Sequence, residues 1–302
     1  MVLVIGEILV DVFPEYQRIG GAPFNFAYHL QQFGIPVGFI SRIGDDAPGH
    51  DILATLKDSG FDTDLIQVDP HHPTGRVNVV PDGSGGHRFD IEPDVAYDYI
   101  ELPATPEQLW PNRSPELIYF GTLAQRTQTA FSRLQDFLSG RSAKTEGFYD
   151  INLRPHCYTN EIVKKSLYQT DILKLNQDEI IFIQDMLNSK RSREALPAWV
   201  METFGISLIA LTKGEQGSEI YTPADHFSAE VPPTDNMVDT VGAGDAYSAI
   251  LAIGYLQGWS PARIVSTATD FAGRICRIQG AVPDDPSFYT PFLKQTAGED
   301  NG

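Results

Sequence analysis

The sequence predicts an α/β fold in which helices cover a mostly parallel β-sheet. Short apolar runs rich in β-branched residues alternate with longer segments of helical periodicity, a pattern typical of strand–helix–strand units. A hydrophobic content of 42% over 302 residues is enough to bury a sizeable core. The predicted strands are residues 2–5, 37–40, 117–120, 148–151, 172–175 and 208–212.

Residues typical of helix ends support two of the helices. Ser260 is a natural N-cap, Pro261 suits the first helical position, and apolar residues then recur at spacings of three and four. We expect this helix to continue to Gly280. An earlier helix begins at Pro23 and is expected to end at Gly34.

One region interrupts the alternation of strands and helices. Residues 75–80 and 87–91 flank the glycine-rich segment 81–86 and predict a hairpin, to which residues 11–19 could add a strand. The predicted organisation is therefore an α/β core of residues 1–10, 20–74 and 98–290, a small antiparallel β lid of residues 11–19 and 75–97, and a flexible tail of residues 291–302.

The charge balance narrows the classes of function. Lys and Arg total 22 against 40 Asp and Glu, so the surface would repel nucleic acid and anionic membranes. Cys157 and Cys276 lie far apart and lack the spacing of a metal site. The apolar start is interrupted by Gly6 and Glu7, so it is too short for a signal or membrane segment. We therefore expect a cytoplasmic protein without a zinc site. If it binds a nucleotide, backbone N–H groups, a divalent cation or a few placed cations must hold the phosphates.

The segment 239–245, which reads Asp-Thr-Val-Gly-Ala-Gly-Asp, carries the strongest chemical signal. Gly242, Ala243 and Gly244 precede a helical stretch, so their N–H groups can turn toward one point, where the helix dipole also favours negative charge. At the edge of this anion hole, Asp245 could accept a proton from a hydroxyl group that attacks a phosphoryl group. A tight turn with a helix-favouring aspartate is the alternative. The P-loop, protein-kinase and dinucleotide-binding motifs are absent from the sequence.

A second motif lies near the N-terminus, in residues 20–27. Gly20 and Gly21 allow close approach to a small ligand, and Asn25 offers both a donor and an acceptor, as sugar hydroxyl groups require. Taken alone, the segment favours a turn followed by a helix in which the asparagine is incidental.

Together the two motifs resemble the signatures of the ribokinase family, also called the PfkB family of sugar kinases, with Gly34 and Gly44 completing the first. The resemblance extends over about residues 1–290. It implies a ribokinase-like three-layer αβα core and a small β lid over the sugar, which often forms a homodimer contact. It also implies Asp245 as the catalytic base, an anion hole formed by Gly242, Ala243 and Gly244, and sugar contacts from Asp11, Gly20, Gly21 and Asn25.

Other segments resemble family motifs that bind nucleotide and ions. Asn176 and Glu179 match an Asn-x-x-Glu motif that organises Mg²⁺ and phosphate, largely through water, although the same spacing is also a capping box. In the family, the backbone around Asp239 and Thr240 often forms a K⁺ site with a segment after the following helix. The nucleotide contacts that the resemblance implies are Asn176, Thr212, Gly214, Gly217, Gly242 and Gly244.

The sequence leaves the identity of the sugar open. Arg154 ends a run that resembles the Asp-x-Asn-x-Arg of fructokinase-like members, and it could contact the substrate or pair with a carboxylate. The lid segment 87–92 lacks the Arg-bearing aromatic strand common in typical fructokinases. We expect ATP- and Mg²⁺-dependent phosphoryl transfer to a primary hydroxyl of a small sugar, with fructose as the leading candidate. The alternatives are a kinase for 2-keto-3-deoxygluconate, for another sugar or for a nucleoside, and a non-catalytic sugar-binding regulator on the same fold.

Overall fold

The computed structural model describes residues 1–81, 87–109, 114–231 and 237–296. Strands and helices alternate along most of this length, as the sequence predicts. The strands are β1 (Val2–Ile5), β2 (Leu9–Val12), β3 (Gln17–Gly20), β4 (Val37–Gly44), β5 (Ile66–Asp69), β6 (Gly75–Pro81), β7 (His87–Ile91), β8 (Leu117–Gly121), β9 (Glu146–Asp150), β10 (Ile172–Asn176), β11 (Leu208–Thr212), β12 (Ser218–Tyr221) and β13 (His226–Ala229). The α-helices are α1 (Ala22–Gln32), α2 (Ala47–Asp58), α3 (Gln128–Ser139), α4 (Asn160–Leu167), α5 (Gln177–Met186), α6 (Leu196–Phe204), α7 (Ala243–Leu256), α8 (Pro261–Ile275) and α9 (Thr290–Thr296).

The larger sheet has the strand order β13-β12-β11-β10-β9-β8-β1-β4-β5 within the described residues. All pairings from β11 to β5 are parallel, and β12 and β13 add antiparallel pairings at one edge. The six predicted strands lie in this sheet, so the prediction of a mostly parallel sheet is confirmed. Because all these parallel strands have the same direction, the loops after their carboxyl ends share one edge of the sheet.

Apolar residues on the two faces of the sheet pack against different sets of helices. Val2 and Val4 of β1 contribute to a core formed with α1, α2, α7 and α8. The alternate residues, Leu3 and Ile5, contribute to a second core formed with α3, α4, α5 and α6. This alternation follows from the two-residue period of a strand, and it gives the three-layer αβα arrangement that the resemblance implies.

Two predicted boundaries differ from the structure. Helix α8 begins after its N-cap Ser260 as predicted, but it ends at Ile275, and tight turns follow before Gly280. Helix α9 includes the first part of the segment predicted as a tail, and the ring of Phe292 is buried 4.9 Å from that of Phe271. This contact between aromatic rings fixes the first part of a segment whose polar composition had predicted a flexible tail. Residues 297–302 lie outside the described residues.

The smaller sheet has the order β3-β2-β6-β7 and lies beside the carboxyl ends of the large sheet. The β2–β3 and β6–β7 pairs are antiparallel, whereas the central β2–β6 pair is parallel. Its first strand starts at Leu9 and its second ends at Gly20, so the sheet takes in residues on both sides of the predicted segment 11–19. The predicted hairpin turn includes residues 82–86, which lie outside the described residues.

None of the helices in the described parts of the chain is long and apolar enough to cross a membrane.

Candidate active site

A cavity of about 540 Å³ lies between the smaller sheet and the carboxyl ends of the large sheet. Leu9, Asp11, Val77 and Ile91 line it from the smaller sheet. From the large sheet, it is lined by residues that end or follow strands, namely Glu7, Asn152, Arg154, Asn176 and Thr212. The N-terminal end of α7 forms a further wall. The topology therefore brings segments from most of the chain to one site.

The turn before α7 is held in a conformation that requires glycine. Gly242 has φ 78°, and a Cβ at this position would lie 2.3 Å from the Cβ of Ala281. Both carboxylate oxygens of Asp239 stabilise the turn, since they accept from the N–H groups of Val241 and Gly280 at 3.0 Å each. The first turn of α7 has no side-chain cap. Its N–H groups and the helix dipole therefore offer a site for an anion.

Asp245 lies in the first turn of α7 and is 8% exposed. Its Oδ2 accepts a hydrogen bond of 2.8 Å from the side-chain amide of Asn25. Burial and the nearby Asp150 raise the pKa of Asp245 from 3.8 to about 6, against the opposing effects of Asn25, Lys174 and Arg154. A buried carboxylate with a pKa near 6 is suited to accept a proton at neutral pH.

Lys174 is a cation at the anion-binding turn that the sequence analysis did not single out. It lies in the buried strand β10, and its Nζ is 3.1 Å from Oδ1 of Asp150. A Cβ on Gly244 would be only 2.9 Å from this ammonium group. Burial disfavours the charge of Lys174, but the carboxylates of Asp150, Glu179 and Asp245 together raise its pKa. The signal was available, because a lysine inside an apolar strand needs a buried partner.

The glycine-rich motif near the N-terminus packs around two acidic residues, Glu7, which is buried, and Asp11, which is half-buried. A Cβ on Gly20 would lie 2.0 Å from Oδ2 of Asp11, and one on Gly21 would lie 2.6 Å from the carbonyl oxygen of Glu7. Burial, the largest cause in both cases, raises the pKa of Asp11 and of Glu7 to about 7. The charge of Arg154 opposes both shifts. Glu7 was not predicted as a site residue, although it lies only two residues after the end of an entirely apolar strand.

Asn176 and Glu179 form a capping box at the start of α5. The carboxylate of Glu179 accepts from the N–H groups of Asn176 and Leu153 at 2.8 and 2.9 Å, and Oδ1 of Asn176 accepts from the N–H groups of Asp178 and Glu179. Asn176 reaches the cavity, whereas Glu179 does not line it. Among the described residues, no group of three His, Cys, Asp or Glu side chains is placed to hold a metal ion. A site with Asn176 and Glu179 but no cluster of ligands fits a Mg²⁺ ion that enters with nucleotide phosphates and keeps most of its water.

A second cavity, of about 560 Å³, adjoins the first at Thr212, Met237, Thr240 and Gly244. Its walls include Val231, Tyr247, Ala272 and Cys276, so it is more apolar than the first. The shared Gly244 places the anion-binding turn between the two cavities. Lys213 lines neither cavity, and its ammonium group pairs with Glu219. An apolar cavity on one side of an anion site suits the base and ribose of a nucleotide.

The predicted site residues come together around these two cavities. Gly20 packs against Asp11, and Glu179 lies behind Asn176. The first cavity is lined by Asp11, Gly21, Asn25, Arg154, Asn176, Thr212, Asp239, Thr240, Gly242, Gly244 and Asp245. The second is lined by Thr212, Gly214, Gly217, Thr240, Ala243 and Gly244.

Comparison with known proteins shows the family to which the chain belongs. Residues 6–287 match the pfkB family carbohydrate kinases. The chain belongs to this family. It is 29% identical to a fructokinase of Escherichia coli over 84% of this chain and 83% of the relative. It is also 27% identical to an aminoimidazole riboside kinase of Salmonella typhimurium over 82% of this chain and 78% of the relative.

A solved structure of a putative ribokinase II from Escherichia coli, in complex with ATP and Mg²⁺, superposes on the chain with a TM-score of 0.80. Its sequence identity is 21%, and the match covers 97% of this chain and 99% of that one. The fold is therefore ribokinase-like, as the sequence indicated. As a PfkB carbohydrate kinase, the protein is an ATP-dependent phosphotransferase with an alcohol group as acceptor.

Proposed function

We propose that the protein transfers the γ-phosphoryl group of ATP to a primary hydroxyl of a small sugar, with fructose as the leading candidate. The observation that carries the proposal is the position of Asp245. This buried carboxylate lines the polar cavity, one residue after Gly244, which lines both cavities. A sugar in the first cavity and a nucleotide in the second would therefore meet beside a base.

In this mechanism, Asp245 takes the proton of the attacking hydroxyl group. Its pKa of about 6 leaves it mostly ionised at neutral pH and still able to accept a proton. The N–H groups of Gly242, Ala243 and Gly244 stabilise negative charge on the transferring phosphoryl group. Lys174 adds a fixed positive charge beside Gly244.

The sugar would lie against the smaller sheet and the start of α1. Asp11, Gly20, Gly21 and Asn25 hold its hydroxyl groups, and Arg154 lies within electrostatic reach of Asp11 and Asp245. Asn25 donates its amide to Asp245 at 2.8 Å, so its Oδ1 is left for the substrate. This arrangement couples recognition of the sugar to the orientation of the base.

Two ions complete the proposal. Mg²⁺ bound with ATP would neutralise phosphate charge, and Asn176, whose side chain is oriented by a hydrogen bond from Glu179, would hold the ion largely through water. The carbonyl groups of Asp239 and Thr240, with the segment that follows α8, are the proposed ligands of K⁺. We also propose, from the family resemblance alone, that two copies associate through their lids, which sedimentation of the purified protein would test.

The proposed function is tested by measuring ADP formation from ATP and Mg²⁺ with a panel of fructose, ribose, 2-keto-3-deoxygluconate and a nucleoside. We expect turnover with fructose well above the sugar-free rate. Turnover with 2-keto-3-deoxygluconate alone would move the assignment to that alternative. ADP formation that no member of the panel accelerates would favour a sugar-binding regulator and refute the proposed function.

A further inference from the structure

Arg126 holds the connector through which the chain leaves the smaller sheet. This connector, residues 92–98, follows β7. Arg126 lies in the loop after the carboxyl end of β8, and its guanidinium donates to the two carboxylate oxygens of Asp98 at 2.6 and 2.7 Å. It also donates to the carbonyl oxygen of Glu92 at 2.7 Å. Because a bidentate pair of charged groups is strong and directional, Arg126 fixes both ends of the connector.

One residue of the connector has a backbone conformation that is unfavourable by itself. Asp94 has φ 58°, in the left-handed region that residues other than glycine rarely adopt. Asp98 is 2% exposed, and its Oδ2 also accepts from the N–H group of Val95 at 3.2 Å. The contacts with Arg126 therefore stabilise a connector that its own backbone does not favour.

The connector in turn sets the position of two strands that cover the first cavity. Ile91, the last residue of β7, lines the cavity and directly precedes Glu92. The ring of Tyr97 packs over Gly75, the first residue of β6, where an added Cβ would lie only 2.5 Å from the ring. Strand β6 also carries Val77, which lines the same cavity. A shift of the connector would therefore move this wall of the cavity.

We propose that Arg126 is a positioning residue of the acceptor site, where its pair with Asp98 holds β6 and β7 over the bound sugar. Neither Arg126 nor Asp98 lines either cavity, so the pair acts through the strands and not through contact with a substrate. The inference rests on the proposed function and deepens it, because it names a support of the sugar-binding wall that the sequence motifs do not include.

Two other roles for the pair must be separated from positioning. Burial raises the pKa of Glu7 at the cavity wall and the charge of Arg126 opposes that shift, so loss of the arginine could act through charge alone. A buried ion pair can also serve only the stability of the fold. Removal of both charges distinguishes these roles. It cancels most of the electrostatic change and leaves no unpaired buried charge, whereas the connector still lacks its attachment.

The experiment compares the wild-type protein with Arg126→Met, Asp98→Asn and the double variant. Methionine keeps much of the length of the arginine side chain but donates no hydrogen bond. Arg141→Met is the matched control, because Arg141 pairs at 3.2 Å with Asp171, which directly precedes β10 at the amino ends of the parallel strands. Steady-state kinetics give kcat and KM for ATP and for the best sugar of the panel, and urea unfolding gives the free energy of unfolding.

For Arg126→Met we expect KM for the sugar to rise at least about tenfold, while KM for ATP changes less than about twofold. Asp98→Asn should shift KM for the sugar in the same direction. The double variant should regain most of the lost stability but keep the raised KM for the sugar. Arg141→Met should lower stability without changing either KM.

Three results would overturn the inference. The first is an unchanged KM for the sugar in Arg126→Met. The second is a pair of opposite shifts in Arg126→Met and Asp98→Asn, which would assign the effect to charge, since one variant removes a positive and the other a negative group. The third is a return of KM to the wild-type value in the double variant, which would assign the effect to charge or to stability.

Hydrogen exchange in the absence of substrates separates this inference from the proposed function. The N–H groups of Val95 and Ala96 donate to the carboxylate of Asp98 and to the carbonyl oxygen of Pro73. In Arg126→Met their exchange should be at least about tenfold faster than in the wild type, whereas the control variant should show no change there. If the wild type phosphorylates no sugar of the panel, the proposed function fails, but faster exchange at these groups still supports the role of Arg126. Unchanged exchange in Arg126→Met overturns it whatever the substrate.

Discussion

The buried pair of Lys174 and Asp150 allows a phosphate-binding role to be separated from a structural one. Asp150 is 0% exposed, and it accepts from Lys174 at 3.1 Å, from Ser248 at 2.8 Å and from Tyr119 at 3.3 Å. Lys174→Met removes the ammonium group but keeps most of the side-chain volume. The carboxylate then loses its buried counter-charge, which typically lowers the free energy of unfolding by about 3–5 kcal/mol.

The double variant Lys174→Met/Asp150→Asn removes both charges. The amide oxygen introduced by Asp150→Asn can still accept from Ser248 and Tyr119, so we expect most of the lost stability to return. Activity should not return, because the cation beside Gly244 is still missing. We expect kcat in both variants to be at least about a hundredfold below that of the wild type. Lys213→Met, which removes a lysine that lines neither cavity, is the control and should retain activity.

The assay combines urea unfolding with steady-state ADP formation at saturating ATP and sugar. Recovery of both stability and turnover in the double variant would show that Lys174 serves only to neutralise Asp150. An unchanged free energy of unfolding in Lys174→Met would contradict the buried pair itself.

Three further predictions concern protons, the sugar and the monovalent ion. Below about pH 7, kcat/KM for the sugar should fall more steeply than for one proton, because Asp11, with a pKa of about 7, and Asp245, with a pKa of about 6, both gain protons as the pH falls. Protonation removes the charged forms that bind the sugar and accept its proton; a flat profile down to pH 5 would contradict these roles. Asp11→Ala should lower kcat/KM for the sugar by roughly ten- to a hundredfold through loss of about 1.5–3 kcal/mol, with KM for ATP unchanged, whereas equal effects on both substrates would remove Asp11 from the sugar site. Potassium should raise turnover above that in sodium or a bulky organic cation at equal ionic strength, and equal rates in the three salts would rule out a functional ion at Asp239 and Thr240.

The strands that the sequence predicted are those whose side chains are buried on both faces of the large sheet. Strand β1 is a continuous apolar run, and β10 is apolar apart from Lys174 and the final Asn176, so both were recognised. Strands β5 and β13 were missed because they lie at sheet edges and include exposed residues. The end of α8 was predicted too late, at Gly280, which lies in a later turn packed against the side chain of Arg18. Helical periodicity continued into those turns, so the pattern alone could not locate the last helical residue.

Within the site, sequence motifs identified the residues around Asp245 but not two of its charged neighbours. Lys174 lies in β10 and Glu7 in the loop after β1, and only the strand order β10-β9-β8-β1 brings them to one cavity. The signal that could have identified these two residues was a charged side chain within or next to a buried apolar run. No local pattern could have told which carboxylates would lie near them.

The central claim is that Asp245 is the base for phosphoryl transfer to a sugar. The direct measurement is the sugar-dependent rate of ADP formation by Asp245→Asn, with sugar binding followed by calorimetry on the same preparation. The asparagine keeps the shape and can still hydrogen-bond to Asn25, but it cannot take up the proton. We predict a fall in kcat of at least about a hundredfold with sugar affinity changed only slightly; turnover close to that of the wild type would contradict the claim.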